Sequence, residues 1–218
     1  MIDFPGRLAV FFFTSGCNFR CGFCHNASLL GKSLPGLSWE RLAEACDKYR
    51  EQWVDGAVIS GGEPTLHQDL PDLIDFFRDR GMKVKLDTNG SNPAMLKTCL
   101  PKLDYVAMDI KTAPSKYAEL TGYSDIDRIR ASVELIMQLA QNGEFRTTIV
   151  EQLHTTADMQ EIAALIDGAQ RYVLQPFVPQ DNLPDPALRK HPRTSPQCMR
   201  AMADCVRACV QNLIVRGA

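Results

Sequence analysis

Long apolar runs, surplus charge and histidine are all scarce in this sequence. The longest apolar run, Leu8 to Phe13, falls far short of the roughly 20 residues that a membrane-spanning helix needs. Asp3 stands ahead of that run and no basic stretch precedes it, so no secretory signal is expected and a cytoplasmic location is. Lys and Arg number 24 against 26 Asp and Glu, a formal net charge of −2. That balance lacks the basic excess for non-specific grip on nucleic acid or an anionic membrane, and neither is expected as a partner. Low-complexity segments are missing too. With 45% hydrophobic and 23% charged residues, disorder and collagen-like structure are excluded. The four histidines, His25, His67, His154 and His191, show no metal-ligand spacing.

Cysteine, by contrast, is plentiful, with eight among 218 residues. A chain of this length without an export signal is a poor candidate for a disulfide framework. The cysteines fall into sets. Cys17, Cys21 and Cys24 crowd together, Cys46 and Cys99 stand alone, and Cys198, Cys205 and Cys209 lie near the C-terminus.

Apolar runs alternate with helical stripes. Leu8 to Thr14 reads as a buried parallel strand. Ser38 caps a helix with the stripe Leu42, Ala45, Cys46, Tyr49 and Trp53. Strands follow at 55–60, 82–88, 104–110, 145–150 and 171–174. Helices lie between them at 70–80, 93–100, from a Ser124 cap to Ala140, and at 157–167. A proline-rich passage, 176–196, is expected to wrap a surface. Ser195-Pro196 then caps a final helix to about Ile214. Six strand–helix units imply an α/β fold with a parallel sheet and right-handed crossovers, either doubly wound or an incomplete barrel. A single domain over 1–218 is expected, with its core at about 8–175. Chemistry belongs at the carboxyl ends of such strands. There the sequence places Thr14-Ser-Gly-Cys17, Gly61-Gly62-Glu63-Pro64, Asp87-Thr88-Asn89-Gly90 and Asp109-Ile-Lys111.

Cys17-Asn-Phe-Arg-Cys21-Gly-Phe-Cys24 leaves the first strand. On one straight helix its ends would lie about 10.5 Å apart along the axis, too far to share a centre. A loop, eased by Gly16 and Gly22, can wrap all three thiols round one cluster. Three thiolates leave one corner of a four-iron cluster open. A zinc site completed by His25 is the alternative.

The C-x3-C-x2-C spacing with an aromatic before the last cysteine resembles the signature of the radical S-adenosylmethionine (radical SAM) enzymes. The resemblance covers Leu8 to Leu174. It implies a partial (βα)6 TIM-like barrel with a C-terminal helix, and a [4Fe-4S] cluster on Cys17, Cys21 and Cys24. It further implies that Gly61, Gly62 and Glu63 receive the cofactor's amino group and that Phe23 lies against its adenine.

Met1-Ile-Asp-Phe-Pro-Gly6, Cys24-His25-Asn26, Asp87-Thr88-Asn89-Gly90 and Met108-Asp109-Ile110-Lys111 are similar to motifs of glycyl-radical enzyme activases. The likeness is greatest to the activating proteins of anaerobic ribonucleoside-triphosphate reductase, and next to those of pyruvate formate-lyase. It implies a monovalent cation held by Asp87, Thr88, the Ala107 carbonyl and Asp109, with Lys111 on the cofactor carboxylate. Arg146 and Gln175 occupy positions of further cofactor contacts. The implied reaction is reductive cleavage of S-adenosylmethionine and abstraction of hydrogen from a glycine of a partner enzyme. Flavodoxin or ferredoxin is the implied electron donor. In this reading no side chain acts as general acid or base.

Two other functions compete. One is a radical SAM enzyme for a small molecule, such as a carboxy-deazaguanine synthase. The other is a non-enzymatic iron–sulfur carrier, which would not need the rim residues. Cys46 and Cys99 are expected to be core packing. Read on the final helix, Cys198, Cys205 and Cys209 fall within about 40° of one line. These three are expected to pack beside the core face, with a metal or redox role shared by Cys205 and Cys209 as the alternative.

Overall fold

The computed structural model describes residues 3–31 and 35–217. Met1 and Ile2 of the N-terminal turn motif lie outside the described residues. Seven strands form one parallel sheet in sequence order, β1 to β7. They are β1 (Ala9–Thr14), β2 (Gly56–Gly61), β3 (Lys83–Thr88), β4 (Tyr105–Asp109), β5 (Gly143–Ile149), β6 (Tyr172–Pro176) and β7 (Leu213–Val215). The helices between them are α1 (Trp39–Glu51), α2 (Leu70–Asp79), α3 (Pro93–Cys99), the short α4 (Tyr117–Thr121), α5 (Ile126–Leu139), α6 (Thr156–Leu165) and α7 (Pro196–Val206). The sheet is open: β1 pairs with β2, β7 pairs with β6, and the two edges do not pair.

Alternation along the strands separates two environments. Outward residues such as Ile59, Leu86, Val106, Met108, Phe145 and Leu174 pack against the helices in the main apolar core. A second, small apolar group holds Phe4, Val58, Tyr105 and Ala107, with Ala9 against it. These strand residues share the inward face, and Phe4 of the N-terminal turn seats among them. The rest of that face is largely polar: Lys85, Asp87, Asp109, Glu144, Arg146 and Thr148. The helices already cover the outside, so this polar face is turned to the interior of the curved sheet.

Three expectations need correction. The final helix ends at Val206, not near Ile214, and 213–215 is a seventh strand paired with β6. Val206, Val210 and Leu213 keep helical spacing, which hid the change. Backbone bonds pull the chain out of the helix: Gly168 N donates to Cys209 O, Gln211 N to Ala169 O, and Tyr172 N to Asn212 O. Trp53 is not on a core stripe. It follows α1 with φ +65° and is 87% exposed. The cap of α5 is Asp125, whose carboxylate accepts from Arg128 N, rather than Ser124. The proline-rich passage holds only a short 3-10 turn, Leu188–Lys190, beyond β6, and it is anchored inward through Phe177, Leu183, Leu188 and Thr194.

Candidate active site

Four loops meet at the carboxyl ends of β1 to β4. The first leaves β1 at Thr14 and carries the three cysteines. It lies so close to the end of β2 that an added β-carbon on Gly61 or Gly62 would collide with the carbonyl oxygens of Thr14 and Gly16. Gly61 also holds φ +120°, which side chains rarely adopt. The glycine pair therefore serves first to let two backbones touch. Gly62 N donates to Thr14 O at 2.9 Å and Glu63 N to Gly16 O at 2.8 Å.

Glu63 binds these loops from within. It is fully buried. Its Oε1 accepts from Thr65 N at 3.0 Å and Thr88 Oγ1 at 2.7 Å, and its Oε2 accepts from Asn89 N at 2.6 Å. Burial raises its pKa, and these donors partly offset the rise. Asn89 extends the network. Its amide donates to Asn18 Oδ1 at 3.0 Å and to Cys17 Sγ at 3.8 Å. Phe19 N donates to the same sulfur at 3.4 Å.

A cavity of about 240 Å³ opens where the loops meet. Cys17, Cys21, Cys24, Phe23, Gly61, Gly62, Glu63, Asp87, Asp109 and Lys111 all line it. Thr88, Arg146 and Gln175 join them, so the structure gathers the cluster and cofactor candidates at one place, whereas Ala107 packs in the small apolar group and Cys205 and Cys209 are not part of the lining. Burial raises the thiol of Cys17 and pushes that of Cys21 up to about 11, and Lys111 works against burial at both. Among the described residues, no three His, Cys, Asp or Glu side chains converge closely enough for a single metal ion. His25 turns its Nε2 to the Val178 carbonyl at 2.9 Å. The thiols surround a shared cavity instead, with N–H donors on one sulfur. That donor set fits a cluster bound at its corners rather than the zinc alternative.

Asp87 and Asp109 project from β3 and β4 onto the cavity floor. Lys111 Nζ donates to Asp109 Oδ2 at 2.9 Å, and Arg146 Nε to Asp109 Oδ1 at 2.9 Å. Burial draws Asp109 up, but Arg146 and Lys111 outweigh it and hold the carboxyl well below the usual range. Arg146 also stands 3.5 Å from Asp87 Oδ1, and Lys85 Nζ 2.9 Å from the same oxygen. The aspartates therefore do not frame an open cage of oxygens. Three side-chain cations already sit on them.

Some functional residues escaped the sequence reading. Lys85, one lysine in an alternating strand, carries a signal only when the inner face is known. Asn89 lies within a rim motif, but its bonds to Glu63, Asn18 and Cys17 join segments far apart in the chain. His154 accepts from Val150 N at 3.0 Å through Nδ1 and lies 2.9 Å from the Lys111 carbonyl through Nε2, so it fixes the loop that carries Lys111. Burial lowers its pKa. His67 bonds the Ser15 carbonyl at 2.9 Å, clasping two loops. Cys46 and Cys99 are fully buried, as expected of packing residues. Cys209 lies beyond α7, which removes the helical spacing on which a site shared with Cys205 depended.

The sequence profile of the radical SAM superfamily matches residues 11–166, and the chain belongs to that superfamily of enzymes. A Methanocaldococcus jannaschii protein with the provisional name glycyl-radical enzyme activating enzyme is 29% identical, over 99% of this chain and 91% of its own length. A 7-carboxy-7-deazaguanine synthase of Halobacterium salinarum is 30% identical over 74% of this chain and 62% of its own. Among solved structures, Streptococcus suis SuiB bound to precursor peptide SuiA matches with a TM-score of 0.75 at 18% identity, over 97% of this chain and 49% of that one. A domain of a pyruvate-formate lyase-activating enzyme from Bacteroides vulgatus matches with a TM-score of 0.56 at 14% identity, over 74% of this chain and 99% of that one. These two share the fold. The family implies a [4Fe-4S] cluster and S-adenosylmethionine. Among the described residues no helix is long and apolar enough to cross a membrane.

Proposed function

We propose that the chain is an activase of a glycyl-radical enzyme, with anaerobic ribonucleoside-triphosphate reductase as its partner and flavodoxin or ferredoxin as its electron donor. The observation that carries this reading is the convergence of the cysteine loop, Gly61 to Glu63, Asp87 to Asn89 and Asp109 to Lys111 on one cavity. Similarity to the Methanocaldococcus protein over almost the whole chain supports the activase class. In this reading Cys17, Cys21 and Cys24 hold the cluster, whose chemistry with S-adenosylmethionine supplies the radical that takes hydrogen from a glycine.

The chain's own groups bind and position. The backbone carbonyls beside Glu63 offer acceptors to the cofactor's ammonium, and Glu63 holds the loop that carries them. Lys111 and Arg146 present positive charge to its carboxylate. Phe23, buried beside the cysteines, offers an apolar face for the adenine. The 176–196 passage closes over the cysteine loop through Asp185 N to Gly22 O at 3.1 Å and helps exclude water. The open side of the sheet suits a protein substrate. Edge strand β1 leaves Phe11 and Phe13 stacked 5.7 Å apart and exposed there.

The reduced, cluster-loaded protein mixed with S-adenosylmethionine and the reductase should give a glycyl radical signal in electron paramagnetic resonance. A signal with pyruvate formate-lyase alone would reassign the partner. Similarity to the deazaguanine synthase keeps a small-molecule reading in play. No radical on any glycyl-radical partner, with deoxyadenosine released on a small substrate, would establish that reading instead.

A further inference from the structure

Lys85 is the buried charge that binding and positioning leave unused. Its side chain is fully enclosed, a state lysine adopts rarely and only with partners. Its ammonium lies 2.9 Å from Asp87 Oδ1 and donates to the Asp3 carbonyl in the N-terminal turn that enters the barrel. Asp87 Oδ1 also lies 3.5 Å from Arg146, yet neither cation makes an aligned hydrogen bond to it. That oxygen is held by charge from two sides. On the neighbouring strand Asp109 has its own pair of cations, Lys111 and Arg146, each at 2.9 Å.

Two aspartates thus face three side-chain cations, Lys85, Arg146 and Lys111, and the buried Glu144 also acts on Arg146. The carboxylate of an amino-acid ligand would meet cations that are already in place. A metal cation on the same aspartates would instead add a fourth positive charge beside Lys85 and Arg146, where burial screens like charges poorly. Lys111 keeps some exposure and can turn toward a ligand. Lys85 cannot move aside, because leaving Asp87 would strand a buried ammonium. The residues present therefore do not fit the monovalent cation implied by resemblance to the activases.

We propose that Lys85 is a built-in counter-ion, fixed on Asp87 where related activases are expected to bind a monovalent cation, and that cofactor binding here needs no such ion. The proposal rests on the cavity being the S-adenosylmethionine site. It is tested with the cluster-loaded protein by calorimetric titration of S-adenosylmethionine in potassium, sodium or tetramethylammonium chloride at equal ionic strength. Wild-type affinity is expected to agree within about twofold across the salts. Lys85→Met is expected to bind at least about tenfold more weakly in tetramethylammonium and to recover in part with potassium or sodium. Wild-type affinity about tenfold higher with potassium or sodium overturns the proposal while leaving the site intact, and needs no variant to fold. Undiminished affinity of Lys85→Met in tetramethylammonium overturns it as well. No wild-type binding in any salt overturns the assignment of the cavity itself.

Discussion

Glu63 has no access to water and all its bonds are to donors on two loops. In Glu63→Gln, one acceptor oxygen becomes an NH2 that must face Asn89 N or the threonine donors. A buried mismatch of this kind costs about 1–3 kcal/mol, and the urea midpoint should fall accordingly. Gly62→Ala should do more, because its β-carbon would collide with the Gly16 carbonyl, which belongs to the loop carrying the cysteines. Iron content per chain after cluster reconstitution should drop well below wild type, whereas Gly31→Ala, whose β-carbon would meet no other described residue, should leave it unchanged. His154 offers a test by pH. Burial lowers its pKa in the folded chain, so the unfolded chain takes up the proton first as pH falls. Its contribution is complete above the ordinary histidine pKa of about 6.5 and is lost as pH falls below that value. Thermal melts of wild type should therefore lose more stability between neutral and acidic pH than those of His154→Gln.

At the scale of elements, the cap of α6 joins the site to the shell of helices. Thr155 Oγ1 accepts from Asp158 N, and Thr155 N donates to Asp158 Oδ2 at 2.7 Å. Lys116 adds an ion pair to Asp158 at 2.8 Å. Thr155→Ala should cost about 1 kcal/mol, read as a lower melting temperature. Because Thr155 follows His154, the same change should also loosen the Lys111 loop. Strand positions were legible because β-branched and apolar runs alternate with capped helices. The end of α7 was not, because Val206, Val210 and Leu213 satisfy a helical stripe while long-range backbone bonds decide for a strand. Likewise Trp53 continues a helical pattern that a left-handed residue has already broken.

Across the whole molecule, the two ends of the chain complete an open barrel. Phe4 fills the inner face beside Val58, Tyr105 and Ala107. Arg216, just after β7, lies 3.6 Å from Asp3 and 3.7 Å from the buried Glu144. Phe4→Ala should cost about 3–5 kcal/mol by emptying the floor beneath Lys85, and chemical denaturation would measure it. The Asp-Phe-Pro-Gly turn, a mark of resemblance in the sequence, thus has a structural task as plug and as a ligand for the Lys85 ammonium.

The sequence alone determined the class of chemistry and most of the site. Its decisive residues come as short contiguous motifs directly after strands, and local chain geometry delivers each motif to the same rim. Lys111–Asp109 and Lys85–Asp87 are local pairs, but tertiary structure decided the long-range ones. Lys85 meets the Asp3 carbonyl across 82 positions, Arg146 meets Asp109 across 37, and His154 meets Lys111 across 43. No local pattern encodes such distances. Only closing the strands round a common interior sets which charges neutralise one another, and hence whether the aspartates are free to hold an ion.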